Sequence, residues 1–171
     1  MALRRLDLDL DFNAFHRFLS DADCVKFMMA PGVTSEDETR TMLTRWTTGW
    51  EDTSWSIFDP PDEATLGRIS TFQNDEGEWE VGVMLLPEAR GRGLARSAVI
   101  GALARTFEQK KAPRILADID PENTPSLAVF RGLEFKEIGY FKDHCTTHLG
   151  LRDTLLMEMA REAFDALYGA G

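Results

Sequence analysis

An α/β fold, built on one mixed and mostly antiparallel sheet of about seven strands with flanking helices, is predicted by three features of this 171-residue sequence. Trp79 to Leu86 reads as an apolar strand that runs into the turn Pro87-Glu88-Ala89-Arg90-Gly91-Arg92-Gly93, and Leu94 opens a helix directly after it. Ahead of that strand, two further strand patterns joined by short turns form an antiparallel meander. Behind it, the helix and the strand Ile115 to Ile119 complete the strand-helix-strand crossover that a parallel pair requires.

The elements follow in order. Leu3 to Leu10 alternates apolar with charged residues and reads as a half-buried first strand, with Asp11 to Leu19 a short helix carrying Phe12, Phe15 and Leu19 on one side. Met28 to Val33 reads as a loop. Thr34-Ser35-Glu36-Asp37-Glu38 is a helix start whose acids suit the positive end of the dipole, and the helix runs through Met42, Leu43 and Trp46 to about Trp50. Ser54 to Phe58 and Leu66 to Phe72 are strands joined through Asp59-Pro60-Pro61-Asp62, and Asn74-Asp75-Glu76-Gly77 turns into the strand at Trp79. After the glycine turn, Leu94, Ala95, Ala98, Val99, Ala102, Leu103 and Phe107 recur at helical spacing, so that helix lays one face on a sheet. The remainder reads as the Ile115 strand, a helix of about ten residues ending near Gly132, a strand from Phe135 to Phe141, a polar loop from Lys142 to Leu149, a last strand near Thr154 to Met159 and a terminal helix from Arg161 to Tyr168. With no repeat or linker in sight, residues 1–171 read as one domain.

Composition narrows the class. Apolar residues make up 43% and charged residues 28%, an ordinary balance for a globular chain of a size that needs no disulfide or metal to hold its core. Lys and Arg number 19 against 29 Asp and Glu, a formal net charge of −10, which disfavours nucleic acid and anionic membrane and favours cationic amines as partners. The aspartates of the opening residues break any hydrophobic leader, and Cys24 and Cys145 fit free thiols, so the protein is expected in the cytoplasm. His144, Cys145 and His148 lack a fourth ligand and any zinc spacing, and no metal is expected.

The basic turn is the chemical centre of the sequence. Its glycines permit positive φ and close backbone approach, and the unpaired N–H groups of the following helix converge on one point, an anion site to which Arg90 and Arg92 add charge. The spacing fits neither G-x-x-x-x-G-K-[ST] nor G-x-G-x-x-G. Arg90-x-x-Gly93-x-Ala95 resembles the Q/R-x-x-G-x-G/A signature of the GNAT superfamily of acyl-CoA-dependent N-acyltransferases. A second segment, the Ile115 strand followed by Asn123-x-x-Ser126 and a helix, resembles the next GNAT element, with Glu134 where the family usually has glycine. The element order matches the GNAT layout across nearly the whole chain, and the opening helices and the polar loop resemble the branch that includes the ribosomal-protein alanine N-acetyltransferases.

That resemblance implies acetyl-CoA as co-substrate and a sheet splayed at its centre. Arg90, Gly91, Arg92, Gly93, Leu94 and Ala95 would cradle the pyrophosphate, and backbone groups of Met84, Leu85 and Leu86 would hold the pantetheine and thioester. Asn123 would bond the pantetheine arm or order the loop beside it. Glu80 matches the strand-borne general base of several members, or else is a solvent-facing or arginine-paired strand residue. The tyrosine that serves many members as acid is Phe130 here, so that role falls to Ser126, which also suits simple helix capping, to Tyr140, or to a water. Phe27, Met28 and Met29 line an acceptor pocket or cap the core, Trp46, Trp50 and Trp55 read as packing, and His144 or His148 is a proton relay or a solvated loop residue. The implied activity is acetyl transfer to a primary amine, of a protein N-terminus or a small molecule, by direct attack in a ternary complex; the alternative is a non-catalytic acyl-CoA sensor. A homodimer through the C-terminal strands is common in the resembling group.

Overall fold

The computed structural model describes residues 1–49 and 53–169, so Trp50 lies outside the described residues. The elements run β1 (Ala2–Arg5), α1 (Leu8–Leu19), α2 (Ala22–Val25), α3 (Glu36–Gly49), β2 (Ser54–Asp59), β3 (Asp62–Gln73), β4 (Trp79–Leu85), α4 (Leu94–Lys110), β5 (Arg114–Ile119), α5 (Thr124–Gly132), β6 (Lys136–Thr147), β7 (Gly150–Ala160) and α6 (Arg161–Tyr168). The seven strands form one sheet in the order β1-β2-β3-β4-β5-β7-β6, antiparallel throughout except for the central pair β4–β5. Among the described residues no helix is long and apolar enough to cross a membrane.

Two boundaries differ from the sequence expectation. The first strand stops at Arg5 because the Asp7 side chain accepts from the N–H groups of Asp9 and Leu10, capping α1 three residues before Asp11. Most of the expected polar loop from Lys142 to Leu149 is strand instead: Cys145, Thr146 and Thr147 pair with Arg152, Leu151 and Gly150 in a long β6–β7 hairpin. Those residues sit on the sheet's outer edge, exposed or half-buried, and an edge strand wet on both faces has the composition of a loop.

Each face of the sheet carries its own core. On one face Ile69, Val81, Ile115 and Met157 pack with Val99, Leu103 and Phe107 of α4, and with Phe164 of α6. On the other, Phe15 and Phe18 of α1 pack with Leu43 and Trp46 of α3, together with Leu86, Ala89 and Leu94 from the two sides of the basic turn. Trp46 and Trp55 are thus packing residues, Trp46 meeting Phe15 edge-on at 5.8 Å with Arg68 stacked 4.1 Å from its ring.

The layer formed by α1 is tied to the sheet by one fully buried carboxylate. Asp11 accepts from both terminal nitrogens of Arg4 at 2.8 and 3.1 Å, from the Asp7 N–H at 2.8 Å, from the Ser56 hydroxyl at 2.6 Å and from the Thr65 hydroxyl. Burial alone would raise its pKa, but Arg4 and the three hydroxyl and amide donors outweigh it and hold the carboxyl below its ordinary value. Because the folded pKa is depressed, Asp11 contributes stability above the ordinary carboxylate range, and that contribution is lost as pH falls through the folded pKa. Replacement Asp11→Asn should cost about 3 kcal/mol in urea unfolding at pH 7, the lower end for breaking a buried ion pair, and should flatten the stability loss on acidification below about pH 4.

Candidate active site

The central pair β4–β5 is joined at a single position, Glu80 opposite Leu116, and beyond it the two strands part. The β3–β4 register fixes which backbone groups face the gap. The Leu86 N–H donates to the Leu66 carbonyl at 2.9 Å, and in an antiparallel ladder hydrogen-bonded pairs alternate, so Met84 and Leu86 direct their backbone groups to β3. Val83 and Leu85 direct theirs into the opening; the Leu85 carbonyl there accepts from Arg90 Nε at 3.3 Å. Val83 was not among the expected groups, since only the register of the ladder reveals it.

The strand ends in a short 3-10 turn, Pro87–Ala89, and then the glycines. Gly91 and Gly93 adopt φ of +73° and +74°, and a Cβ at either would meet no heavy atom within 4 Å. Glycine is therefore required by the backbone angle, and the space above it is open to a ligand. Among the described residues no backbone carbonyl accepts from the N–H groups of Gly91 to Ala95, which face the exposed start of α4. Arg92 pairs with Asp59 at 2.7 Å, and Arg90 Nη2 reaches Cys24 Sγ at 3.3 Å. An anionic pyrophosphate fits this cradle of amides, open space and two exposed guanidinium groups.

On the far side of the opening, Asn123 caps α5, its Oδ1 accepting from the Ser126 N–H at 3.3 Å. Asn123 thus orders the loop at the head of β5, and Ser126 lies half-buried in the first turn of the helix. Phe130 is 2% exposed and stacks edge-on against Phe135 at 4.9 Å, which makes it a core residue. Glu134 holds a left-handed φ of +65°.

Side chains above the sheet complete the site. Alternation along β4 places Glu80, Gly82 and Met84 on the α1–α3 face, opposite Val81, Val83 and Leu85. Glu80 is half-buried and accepts from Asn74 Nδ2 at 2.7 Å. Burial pushes its carboxyl above the ordinary range, with Asp118 and Glu76 adding to the rise and the Asn74 bond opposing it. Tyr140 pairs with Leu155 on the opposite face and donates its hydroxyl to Asp153, so the structure does not bring it together with Glu80. The β6–β7 hairpin reaches over the α1–α3 face: the His148 N–H donates to the Met29 carbonyl, His148 Nδ1 meets the Met28 carbonyl, both at 3.0 Å, and Cys145 Sγ touches Met29 Sδ at 3.2 Å. Met28, Met29 and His148 therefore clasp one side of the site, whereas His144 is exposed and tilts against Phe141. Among the described residues no group of three or more His, Cys, Asp or Glu is arranged to hold a metal ion.

This architecture matches known proteins. The model of the acetyltransferase (GNAT) domain matches residues 1–136. An uncharacterised N-acetyltransferase of Bacillus licheniformis, p20, is 23% identical over 169 residues, covering 96% of this chain and 94% of its own. A GNAT-family acetyltransferase from Bacillus anthracis superposes with a TM-score of 0.83 at 26% identity, covering 94% of both chains. The fold is shared too, at a TM-score of 0.80 and 17% identity, by a spermidine N-acetyltransferase from Vibrio cholerae solved with CoA and spermine, covering 95% of this chain and 96% of that one.

The packing of Phe130 has a direct consequence. Phe130→Tyr buries a hydroxyl among apolar neighbours, so it should cost about 1–3 kcal/mol in equilibrium unfolding and should not raise turnover.

Proposed function

The chain belongs to the GNAT acetyltransferase family, and from that premise we propose that it transfers an acetyl group from acetyl-CoA to a primary amine by direct attack in a ternary complex. The observation that carries this reading is the parting of β4 from β5 immediately ahead of the glycine turn. An extended pantetheine arm replaces the missing ladder along Val83 and Leu85, and its pyrophosphate meets the N–H groups of Gly91 to Ala95 with Arg90 and Arg92 beside them.

The acceptor enters from the α1–α3 face, past Met28 and Met29. Glu80, as carboxylate, takes a proton from the amine; the nitrogen lone pair attacks the thioester carbonyl, the tetrahedral adduct collapses, and the C–S bond breaks. The thiolate is protonated by water or by the Ser126 hydroxyl. Phe130 has no proton to give, and the Tyr140 hydroxyl is committed to Asp153. Turnover that survives in Ser126→Ala assigns this step to water. An amine acceptor is supported by the acidic surface, with net charge −10, and by the half-buried carboxylate of Glu80. The spermine named with the Vibrio cholerae neighbour and the protein N-termini of the ribosomal-protein alanine branch mark two amine classes to screen.

Two measurements check this. At about 100 times its dissociation constant, acetyl-CoA should add roughly 2.7 kcal/mol of stability, and Gly93→Glu, which sets bulk and negative charge in the turn, should abolish that increment; an equal increment in both proteins would rule out this turn as the coenzyme site. Stabilisation without thiol release from any amine would instead leave a non-catalytic coenzyme-binding module. In thiol-release assays Glu80→Gln should lower kcat by about 10²- to 10⁴-fold with acetyl-CoA stabilisation intact. Since the Glu80 pKa is raised and the base acts ionised, wild-type kcat/KM should fall on acidification at a pH above the ordinary glutamate value of about 4.3.

A further inference from the structure

Resting on the amine-acceptor reading, we propose that Asp118 is the positioning residue for the acceptor, its carboxylate holding the incoming ammonium at the head of the β4–β5 opening so that one N–H points to Glu80.

Register places it there. Glu80 opposes Leu116, and two residues further along both parallel strands Gly82 comes level with Asp118, where the opening begins. Leu116 and Asp118 share a face with Glu80, because Ile115, Ala117 and Ile119 alternate into the α4 core. Between the two carboxylates the floor is Gly82, where a Cβ would touch only Phe72 at 3.8 Å and Ser70 at 4.0 Å, so room for a small cation remains above it. Asp118 is exposed to solvent and yet desolvated by the protein around it, a combination found on the wall of a cleft.

The surroundings leave Asp118 available to a ligand. Thr154, buried on β7, lies beside it and eases the burial of its charge. The neighbouring carboxylates are already answered: Asp120 and Glu122 by Arg152 at 2.8 Å, and Glu158 by Arg114 at 3.1 Å. The charged and titratable groups facing the pair are Glu76 from the β3–β4 turn, Asp120 at the end of β5, and His144 and Cys145 from β6. Glu80 and Asp118 each raise the cost of a second negative charge, and an ammonium between them relieves both. The proton balance closes: the ammonium yields one proton to Glu80 and the neutral amine attacks, Asp118 stays ionised against the positive charge that the nitrogen regains in the tetrahedral adduct, and the second N–H proton passes to the departing thiolate through water or the Ser126 hydroxyl.

The test uses the whole chain and the acceptor that releases most thiol among putrescine, benzylamine and alanyl-alanine amide. Asp118→Asn keeps the shape and removes the charge. It should raise the amine KM about 10- to 100-fold while the acetyl-CoA KM and kcat stay within about twofold. The acid limb of kcat/KM should move to lower pH, because Glu80 loses a like-charged neighbour, and Asp118→Glu should recover part of the amine KM. A merely structural role would lower stability and leave that limb in place. With an active wild type, an unchanged amine KM and acid limb in Asp118→Asn overturn the proposal and spare the acetyltransferase reading. A wild type that releases no thiol with any of the three amines overturns both. If Asp118→Asn does not fold, Asp118→Ser is judged by the same criteria.

Discussion

The single β4–β5 pair at Glu80 and Leu116 is the constraint from which the rest of the site follows. A sheet that continued its ladder there would use up the backbone groups of Val83 and Leu85 internally. Because it parts, those groups face a gap, and buried backbone polar groups demand a partner. The strands are free to diverge because one side of both is held by one apolar core: Val81 and Val83 on β4, and Ile115 and Ala117 on β5, belong to the same buried cluster as the inner face of α4. The opening is thus wide on the ligand face and closed beneath. A divergence of this kind without that floor would admit water between the two halves of the sheet.

The glycine turn is held from behind by apolar contacts and from the sides by weak polar ones. Leu86, Ala89 and Leu94 are buried with α1 and α3, so the backbone of the turn is fixed by the N-terminal layer, whose own attachment runs through Asp11. Arg17 pairs with Glu88 and Arg92 with Asp59, all four side chains substantially exposed. Exposed pairs contribute little, so a phosphate bound at the turn as proposed would displace Arg92 from Asp59 at small cost while the amides stay where the core put them. Preorganisation lies in the backbone, and the arginines adapt.

Much of this was legible in the sequence, and the exceptions have physical reasons. The glycine turn, the crossover and the helix start after Asn123 were legible from short windows of sequence, although the cap proves to be Asn123 and not Ser126. The start of α1 was misplaced because Leu8 and Leu10 alternate with Asp7 and Asp9 as a strand would; the side-chain cap by Asp7 decides for helix. The length of β6 depends on a partner strand that pairs with it only through the turn at Gly150, where φ is +98°. Which backbone groups face the opening depends on ladder parity, so Val83 was invisible, and the backbone groups of Met84 and Leu86 turn to β3 instead. Glu134 is instructive in the opposite sense. The sequence lacks the usual glycine there, yet the backbone keeps a glycine-like angle, because Leu133 and Phe135 on either side are buried and fix the path between them.

The charge distribution gives the two substrates separate addresses. Acetyl-CoA is anionic at its pyrophosphate end, and the cradle at Gly91 to Ala95 lies beyond the C-terminal end of β4. In the proposed reaction the cationic acceptor is drawn to the other end of the opening, near Glu80, Gly82 and Asp118. With 29 acids against 19 bases the chain is net negative, and the turn where free amides and two arginines converge is a local exception to that sign. The same acidity concentrates amines near the carboxylates. In the proposed ternary complex, opposite charge at the two ends of one gap would align the thioester and the nitrogen along it, which is the arrangement direct transfer requires.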